Sequence, residues 1–168
     1  MSADLRVRDG VRRLVTADAG ELLTLQLAAW VAEAHANATL AIPALHESVD
    51  DVRAQLDDPA WRIWGLVDDR RLLATVRTRL EGPDSAYVGR LAVVPDLRGC
   101  GLGSAMLRWA EADLPGDVRT VELVTGIRST ANHAFYRRHG YDQVGTDDEV
   151  GTALFRKRRG EAPQATWS

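Results

Sequence analysis

The segment Arg98-Gly99-Cys100-Gly101-Leu102-Gly103 places three glycines within five residues, after the apolar run Leu91 to Val94 and before a helix-forming stretch. Without Cβ atoms, the backbone N–H groups of such a loop can approach a ligand closely. The helix expected from Gly103 to Leu114 aims its positive end and its unpaired first N–H groups at the same point. This chemistry suits an anion, above all a pyrophosphate, and narrows the ligands to nucleotide-like cofactors. Glycine hexads of this kind also occur as tight strand–helix turns with nothing to hold. Two familiar phosphate loops do not fit. The dinucleotide fingerprint needs wider glycine spacing and a downstream ribose-binding acid. The Walker loop ends in Gly-Lys-Ser/Thr, whereas here Ser104 follows Gly103 with no lysine.

The segment Ala134-Phe-Tyr-Arg-Arg-His-Gly-Tyr141 lies in a short helix, with Asn132 four residues before Tyr136 and so on the same helix face. Phe135 and Tyr136 point about 100° apart on that helix, so the two cannot be equally buried. Glu33 and His35 lie near the end of the first helix and Glu122 on a later strand; of these His35 has the ordinary pKa nearest neutrality. Each also reads as an ordinary surface residue. Cys100, the single cysteine, sits at a helix N-terminus, where a thiol can become reactive, but an incidental loop side chain is the simpler reading. His133 and His139 are expected at the surface. No Cys/His/Asp cluster has metal-ligand spacing, so no metal is expected.

These groups need elements to hold them. Val11 to Val15 reads as a strand, with Thr16 or Asp18 able to cap a helix whose inner face carries Leu22, Leu25, Ala29 and Ala32, ending near His35. Ala36 to Pro43 is loop. Ser48 caps a second helix with Val52 and Leu56 inward. Trp61 to Val67 and Leu72 to Leu80 form a hairpin about Asp68-Asp69-Arg70, and Ala86 to Val94 is a third strand with Arg90 inside it. After the hexad and its helix come a strand from Val118 to Thr125 and a helix from Ala131 to His139 stopped by Gly140. Two strands follow, Asp142 to Thr146 and Thr152 to Arg158. Hairpins ask for antiparallel pairing and the βαβα portion for parallel pairing. The expected fold is therefore an α/β single domain over residues 1–160, a mixed central sheet of about six to seven strands flanked by helices on both faces. Residues 161–168 are expected to be a loose tail. A doubly wound Rossmann sheet fits poorly, because the glycine loop comes after the hairpins.

Composition bounds the function. The 168 residues suit one domain with a sizeable core, and 45% hydrophobic with 27% charged residues is ordinary for a globular protein. A net charge of -3 gives no general field for nucleic acid. The short basic run Arg156-Lys-Arg-Arg159 reads as a solvated strand end. No apolar run is long enough for a membrane span, and Met1-Ser-Ala-Asp-Leu5 has no secretory pattern, so a cytoplasmic protein is expected, with no nucleic-acid or membrane partner.

Arg98-x-x-Gly101-x-Gly103 resembles the Gln/Arg-x-x-Gly-x-Gly/Ala signature of the GNAT superfamily of N-acetyltransferases. Leu91-Ala92-Val93 resembles the strand that in this family holds the pantetheine arm of acetyl-CoA. Ser104 to Leu107 resembles the start of its pyrophosphate-facing helix, and Ala134 to Tyr141 its second signature. The resemblance covers about Trp61 to Phe155. It implies direct transfer of an acetyl group from acetyl-CoA to a primary amine, with no metal. The N–H groups of Gly99, Cys100, Gly101, Leu102, Gly103 and Ser104, with Arg98 ahead of them, would hold the pyrophosphate. The main chain of Leu91, Ala92 and Val93 would pair with pantetheine, and the Val93 N–H would stabilise the oxyanion. Tyr136 would be the general acid. The family asparagine seven residues before that tyrosine is Ser129 here, so either Ser129 or Asn132 would contact the cofactor, or Asn132 is merely a helix cap. The base stays open among Glu122, Glu33 and His35. The expected acceptor is a small-molecule amine. A protein or peptide amine is the alternative, and a non-catalytic acyl-CoA-binding module is a third. Trp30, Trp64 and Tyr87 are candidates for an aromatic cleft wall or for core. The acyl-chain length stays open, and the protein is expected to be a monomer or homodimer.

Overall fold

The computed structural model describes residues 10–160. The tail expected from 161 and the N-terminal segment lie outside the described residues. The described chain forms β1 (Val11–Arg13), α1 (Ala19–Asn37), α2 (Val49–Asp57), β2 (Arg62–Asp68), β3 (Arg71–Leu80), β4 (Ser85–Val93), α3 (Leu102–Asp113), β5 (Thr120–Gly126), α4 (Thr130–Arg138), β6 (Asp142–Asp147) and β7 (Thr152–Arg158). Short 3-10 turns at Thr16–Asp18, Pro43–Leu45 and Pro95–Leu97 link them.

The seven strands form one mixed sheet in the order β1-β2-β3-β4-β5-β7-β6. Every neighbouring pair is antiparallel except β4 and β5, which α3 connects. Helices cover both faces, as β3 records: Leu72 to Val76 are all buried, where a strand with one wet face would alternate. The α1 stripe Leu22, Leu25, Ala29 is buried as expected, but Ala32 is exposed. The next inward position four residues after Ala29 belongs to Glu33, and the next buried alanine is Ala34. Opposite, α3 seats Met106, Leu107 and Ala110 in the core with no exposed surface.

Local signals explain most boundaries. Ser48 caps α2 by accepting the Asp51 N–H at 3.2 Å, and Asp51 returns the bond to the Ser48 N–H at 2.7 Å. Asp18 does not cap α1 with its side chain; its carboxylate accepts the Val15 N–H and pairs with Arg12 at 2.6 Å. Gly140 ends α4 at φ +83°, as expected of a left-handed stop.

Three expectations are corrected. His133 is buried rather than superficial, 8% exposed, and its Nε2–H donates to the Gly126 carbonyl at 2.9 Å. His139 is half-buried, bonded through Nδ1 to the Phe135 carbonyl at 2.8 Å. The basic run at the end of β7 is stitched into the fold: Arg156 pairs with Glu122, Lys157 with Glu111, and Arg159 donates to the Pro115 and Val118 carbonyls.

Candidate active site

The site begins where β4 and β5 part. They pair in parallel only at Ser85, Ala86 and Tyr87, opposite Thr120, Val121 and Glu122. Beyond this both strands continue, β4 to Val93 and β5 to Gly126, without pairing to each other. A β-bulge in β4 marks the divergence: Gly89 faces Arg77, Ala92 faces Thr75, and Arg90 between them takes φ +51°. After the bulge the Val94 N–H donates to the Leu73 carbonyl of β3 at 2.9 Å. Amides alternate sides along a strand, so the Val93 N–H faces the open β5 side. A strand edge in this condition is ready to pair with an extended ligand.

The hexad lies at the end of the same strand. Gly99 and Gly101 adopt φ +77° and +82°, which side chains on L-residues resist, so these two glycines are required by the loop itself. Gly103 is helical, and a Cβ there would meet Phe135 and Val93 only at 3.8 Å, ordinary contact. Gly101 is the N-cap of α3 with no side-chain cap bond. The N–H groups of Leu102, Gly103 and Ser104 therefore open the helix as free donors for an anion. The Arg98 side chain turns away from this loop and donates to the Ala29 carbonyl of α1 at 2.6 Å. It braces the hexad against α1. Cys100 is exposed.

On α4, Tyr136 is partly buried against Phe135, Tyr141 and Phe155 at ring separations of 5.2, 5.9 and 5.9 Å. Its hydroxyl makes no hydrogen bond among the described residues. The phenol is held well above its ordinary value near 10, by burial first and then by the charge of Glu33 and by Tyr87. It is a proton donor at any physiological pH.

Glu33 sits at the open end of the parted strands and collects donors from three elements. Its Oε1 accepts from the Ser129 hydroxyl, from the Gly126 N–H at 3.2 Å and from Asn37 Nδ2 at 3.2 Å. Its Oε2 accepts from Asn132 Nδ2 at 2.9 Å. Asn37 also donates to Ser129 Oγ at 2.8 Å and accepts the Arg128 N–H at 3.1 Å. Gly126 admits this cluster, since a Cβ there would collide with the Asn37 carboxamide. Both Ser129 and Asn132 thus face Glu33 in this structure, and neither caps α4 with its side chain. Glu33 is thus held by donors from α1, β5 and α4, most of them on Oε1.

The other candidate bases lie elsewhere. His35 is exposed on α1. Glu122 is the parallel partner of Tyr87, so the two share a sheet face, and it pairs with Arg156 at 2.6 Å. On that face Tyr87 packs edge-on against Trp61 at 6.1 Å. Trp30 lies 5.8 Å from the Arg90 guanidinium. Trp64 does not join them: it packs against Trp109 of α3, on the opposite face, at 6.1 Å. The segment between α1 and α2, unreadable from sequence motifs, is fixed by buried Gln26, which donates to the Ala44 carbonyl at 3.0 Å and to Glu47 at 2.5 Å. Glu47 in turn pairs with Arg90 at 2.6 Å. Sequence reading missed Gln26, Glu33 as a clamp, and Glu47. The available signal was a polar residue at inward helical positions: Gln26 follows Leu22 by four, and Glu33 follows Ala29 by four. Among the described residues no group of three or more His, Cys, Asp or Glu could hold a metal ion, and no helix is long and apolar enough to cross a membrane.

Comparisons with known proteins converge on this geometry. A family model described as an acetyltransferase (GNAT) domain matches residues 59–143, the stretch from before β2 into β6. The chain is 41% identical over 75 residues to the uncharacterized N-acetyltransferase YesJ of Bacillus subtilis, covering 44% of this chain and 41% of that protein. It is 39% identical over 57 residues to the aminoalkylphosphonate N-acetyltransferase of Salmonella typhimurium, covering 33% of this chain and 37% of that protein. The matched segments thus span about two fifths of those relatives' own lengths. In fold, the chain is similar to the PaiA N-acetyltransferase of Thermoplasma acidophilum in complex with coenzyme A, with TM-score 0.76 and 16% identity over 89% of this chain and 98% of that one. It is also similar to the ribosomal-protein-S18-alanine N-acetyltransferase of Escherichia coli, with TM-score 0.70 and 19% identity over 94% of this chain and 98% of that one.

Proposed function

The chain belongs to the GNAT acetyltransferase family, and from that premise we propose that it transfers an acetyl group from acetyl-CoA directly to the primary amine of a small molecule. The observation that carries this reading is the Val93 N–H, turned to the unpaired side of β4 where the strand parts from β5, with the free donors of the hexad one turn beyond it. A linear ligand with a diphosphate at one end and amides along its length meets both features at once. Acetyl-CoA supplies the thioester that the amine attacks.

The residues then divide as follows. The main-chain N–H groups of Gly99 to Ser104 bind the diphosphate. Leu91 to Val93 pair with the pantetheine amides, and the Val93 N–H steadies the oxyanion, a contribution of about 3 kcal/mol for one donor of this kind. Tyr136 hands its proton to the departing thiolate. An alkylammonium near pKa ~10.4 must lose a proton first, which costs about 4–5 kcal/mol at pH 7 without help. Glu122 takes this proton, directly or through a water, because it is the candidate base that shares a face with Tyr87, and Arg156 engages only its Oε1, leaving Oε2 without a donor among the described residues. Glu33 positions: it ties α1 to β5 and α4 beside Tyr136. The similarity to an aminoalkylphosphonate N-acetyltransferase favours a small acceptor.

A screen of amines for thiol release from acetyl-CoA tests the proposal. We expect release with a subset of small primary amines and its loss in Tyr136→Phe. Coenzyme A binding with no release for any small amine, but release with peptide N-termini, would move the acceptor to the protein class.

A further inference from the structure

Arg77 on β3 carries a charge that no carboxylate among the described residues pairs with. Its Nη1 donates to a neutral partner, Gln55 Oε1 of α2, at 2.8 Å. Its Nε is buried without a hydrogen-bond partner, and a buried donor on a cation is costly to leave unmet. The neighbouring arginines are answered: Arg79 by Glu81 and Arg90 by Glu47, each at 2.6 Å. Glu47 thus answers Arg90, while Arg77 beside it has no carboxylate of its own among the described residues. Burial, and next the charge of Arg90, pull the Arg77 guanidinium down to about 10 from its ordinary 12.5, which leaves it cationic at neutral pH. Trp61 covers it, with the guanidinium carbon 4.2 Å from the ring centroid.

This cation stands next to the proposed reaction centre. Arg77 pairs across the ladder with Gly89 and Arg79 with Tyr87, so Tyr87 lies on the same face as both. Gly89 makes room for the Tyr87 ring, since a Cβ there would sit 2.5 Å from Tyr87 Cε1. Tyr87 is in turn the parallel partner of Glu122, the proposed base, across the β4–β5 ladder.

We propose that the unpartnered Nε–Nη2 edge of Arg77, flanked by Arg90 and walled by Trp61, binds an anionic group on the acceptor, so that the substrate is a small amine that also carries a carboxylate, phosphonate or phosphate. A guanidinium presents two parallel N–H donors along that edge, which matches two oxygens of such a group. The inference rests on the N-acetyltransferase reading for its reaction but not for its binding site.

The test measures binding and turnover separately. Calorimetry, with and without coenzyme A, compares 4-aminobutyrate and 3-aminopropylphosphonate with butylamine and propylamine. We expect the anionic amines to bind at least about tenfold tighter in the wild type. Arg77→Gln should erase that margin, Arg77→Lys should restore part of it, and coenzyme A affinity should not change in either. Equal affinity of the wild type for charged and uncharged amines overturns the proposal. So does a margin that survives in Arg77→Gln with an unaltered melting temperature. If the anionic amines bind through Arg77 yet no amine or peptide N-terminus in the screen releases thiol, the transferase reading fails and the anion subsite stands. Which of the two anionic amines binds more tightly identifies the oxyacid.

Discussion

Asn132 Nδ2 donates to Glu33 Oε2 at 2.9 Å, joining the first turn of α4 to α1 across the open end of the parted strands. The same carboxylate accepts from Ser129 and from the Gly126 N–H, so one side chain secures both ends of the β5–α4 connection. The helix that carries Tyr136 is thereby fixed to the helix that walls the cleft. Glu33→Gln swaps an acceptor-only group for an amide that faces donors. We expect a loss of about 2 kcal/mol and a fall of about 4–8 °C in melting temperature. Gly126→Ala, which displaces Asn37, should act in the same direction. An unchanged melting temperature in both variants would remove the clamp from the account.

Tyr136→Phe keeps the ring and its packing and removes the proton. We expect kcat to fall by about 10²–10⁴ with coenzyme A affinity within about twofold of wild type. Because the phenol is held above its ordinary value, the wild-type kcat should show no alkaline decline from this group below about pH 10. Unchanged turnover in Tyr136→Phe would place the acid elsewhere.

Glu122→Gln should lower kcat/KM by about 10² while leaving the fold intact, because its ion pair with Arg156 is partly exposed and contributes about 0–1 kcal/mol. If kcat/KM is retained, His35→Ala is the next variant, since His35 lies exposed on α1 and free of the Glu33 network.

The alkaline limit of stability follows from the buried phenols. Tyr141 is 1% exposed and donates to Glu111 at 2.8 Å; burial, then the charge of Glu111, raise it far above its ordinary value. A phenol raised in the folded state stabilises the fold fully below the unfolded value near 10. That contribution is lost as pH rises above it, by about 1.4 kcal/mol per pH unit for each such group. The free energy of unfolding measured from pH 8 to 11 should fall steeply above pH 10, and less steeply in Tyr141→Phe. A flat profile through pH 11 would contradict this.

How much of this was legible in the sequence depends on what each residue answers to. The mixed sheet, the glycine turn of the hexad and the helix that carries Tyr136 were readable because glycine spacing, helical periodicity and turn residues act locally. Ser48 and Gly140 behaved as their local chemistry requires. The Glu33 clamp was not readable, because its donors on β5 and α4 lie 93 to 99 residues away and only the parted strands bring them together. For the same reason Arg156 to Arg159 looked like a solvated run when its partners, Glu122, Glu111 and two carbonyls, come from other elements. His133 looked superficial because only the return of α4 over β5 gives its ring the Gly126 carbonyl.

The most direct measurement is the affinity of the purified protein for coenzyme A by calorimetry, in the wild type and in Gly101→Val. Gly101 caps α3 at φ +82°, where a β-branched residue is strained, so the variant should distort the donors that open the helix. The account predicts saturable binding by the wild type and at least a tenfold loss in Gly101→Val. No heat of binding for coenzyme A or acetyl-CoA in the folded wild type, or equal binding by the two proteins, would contradict it.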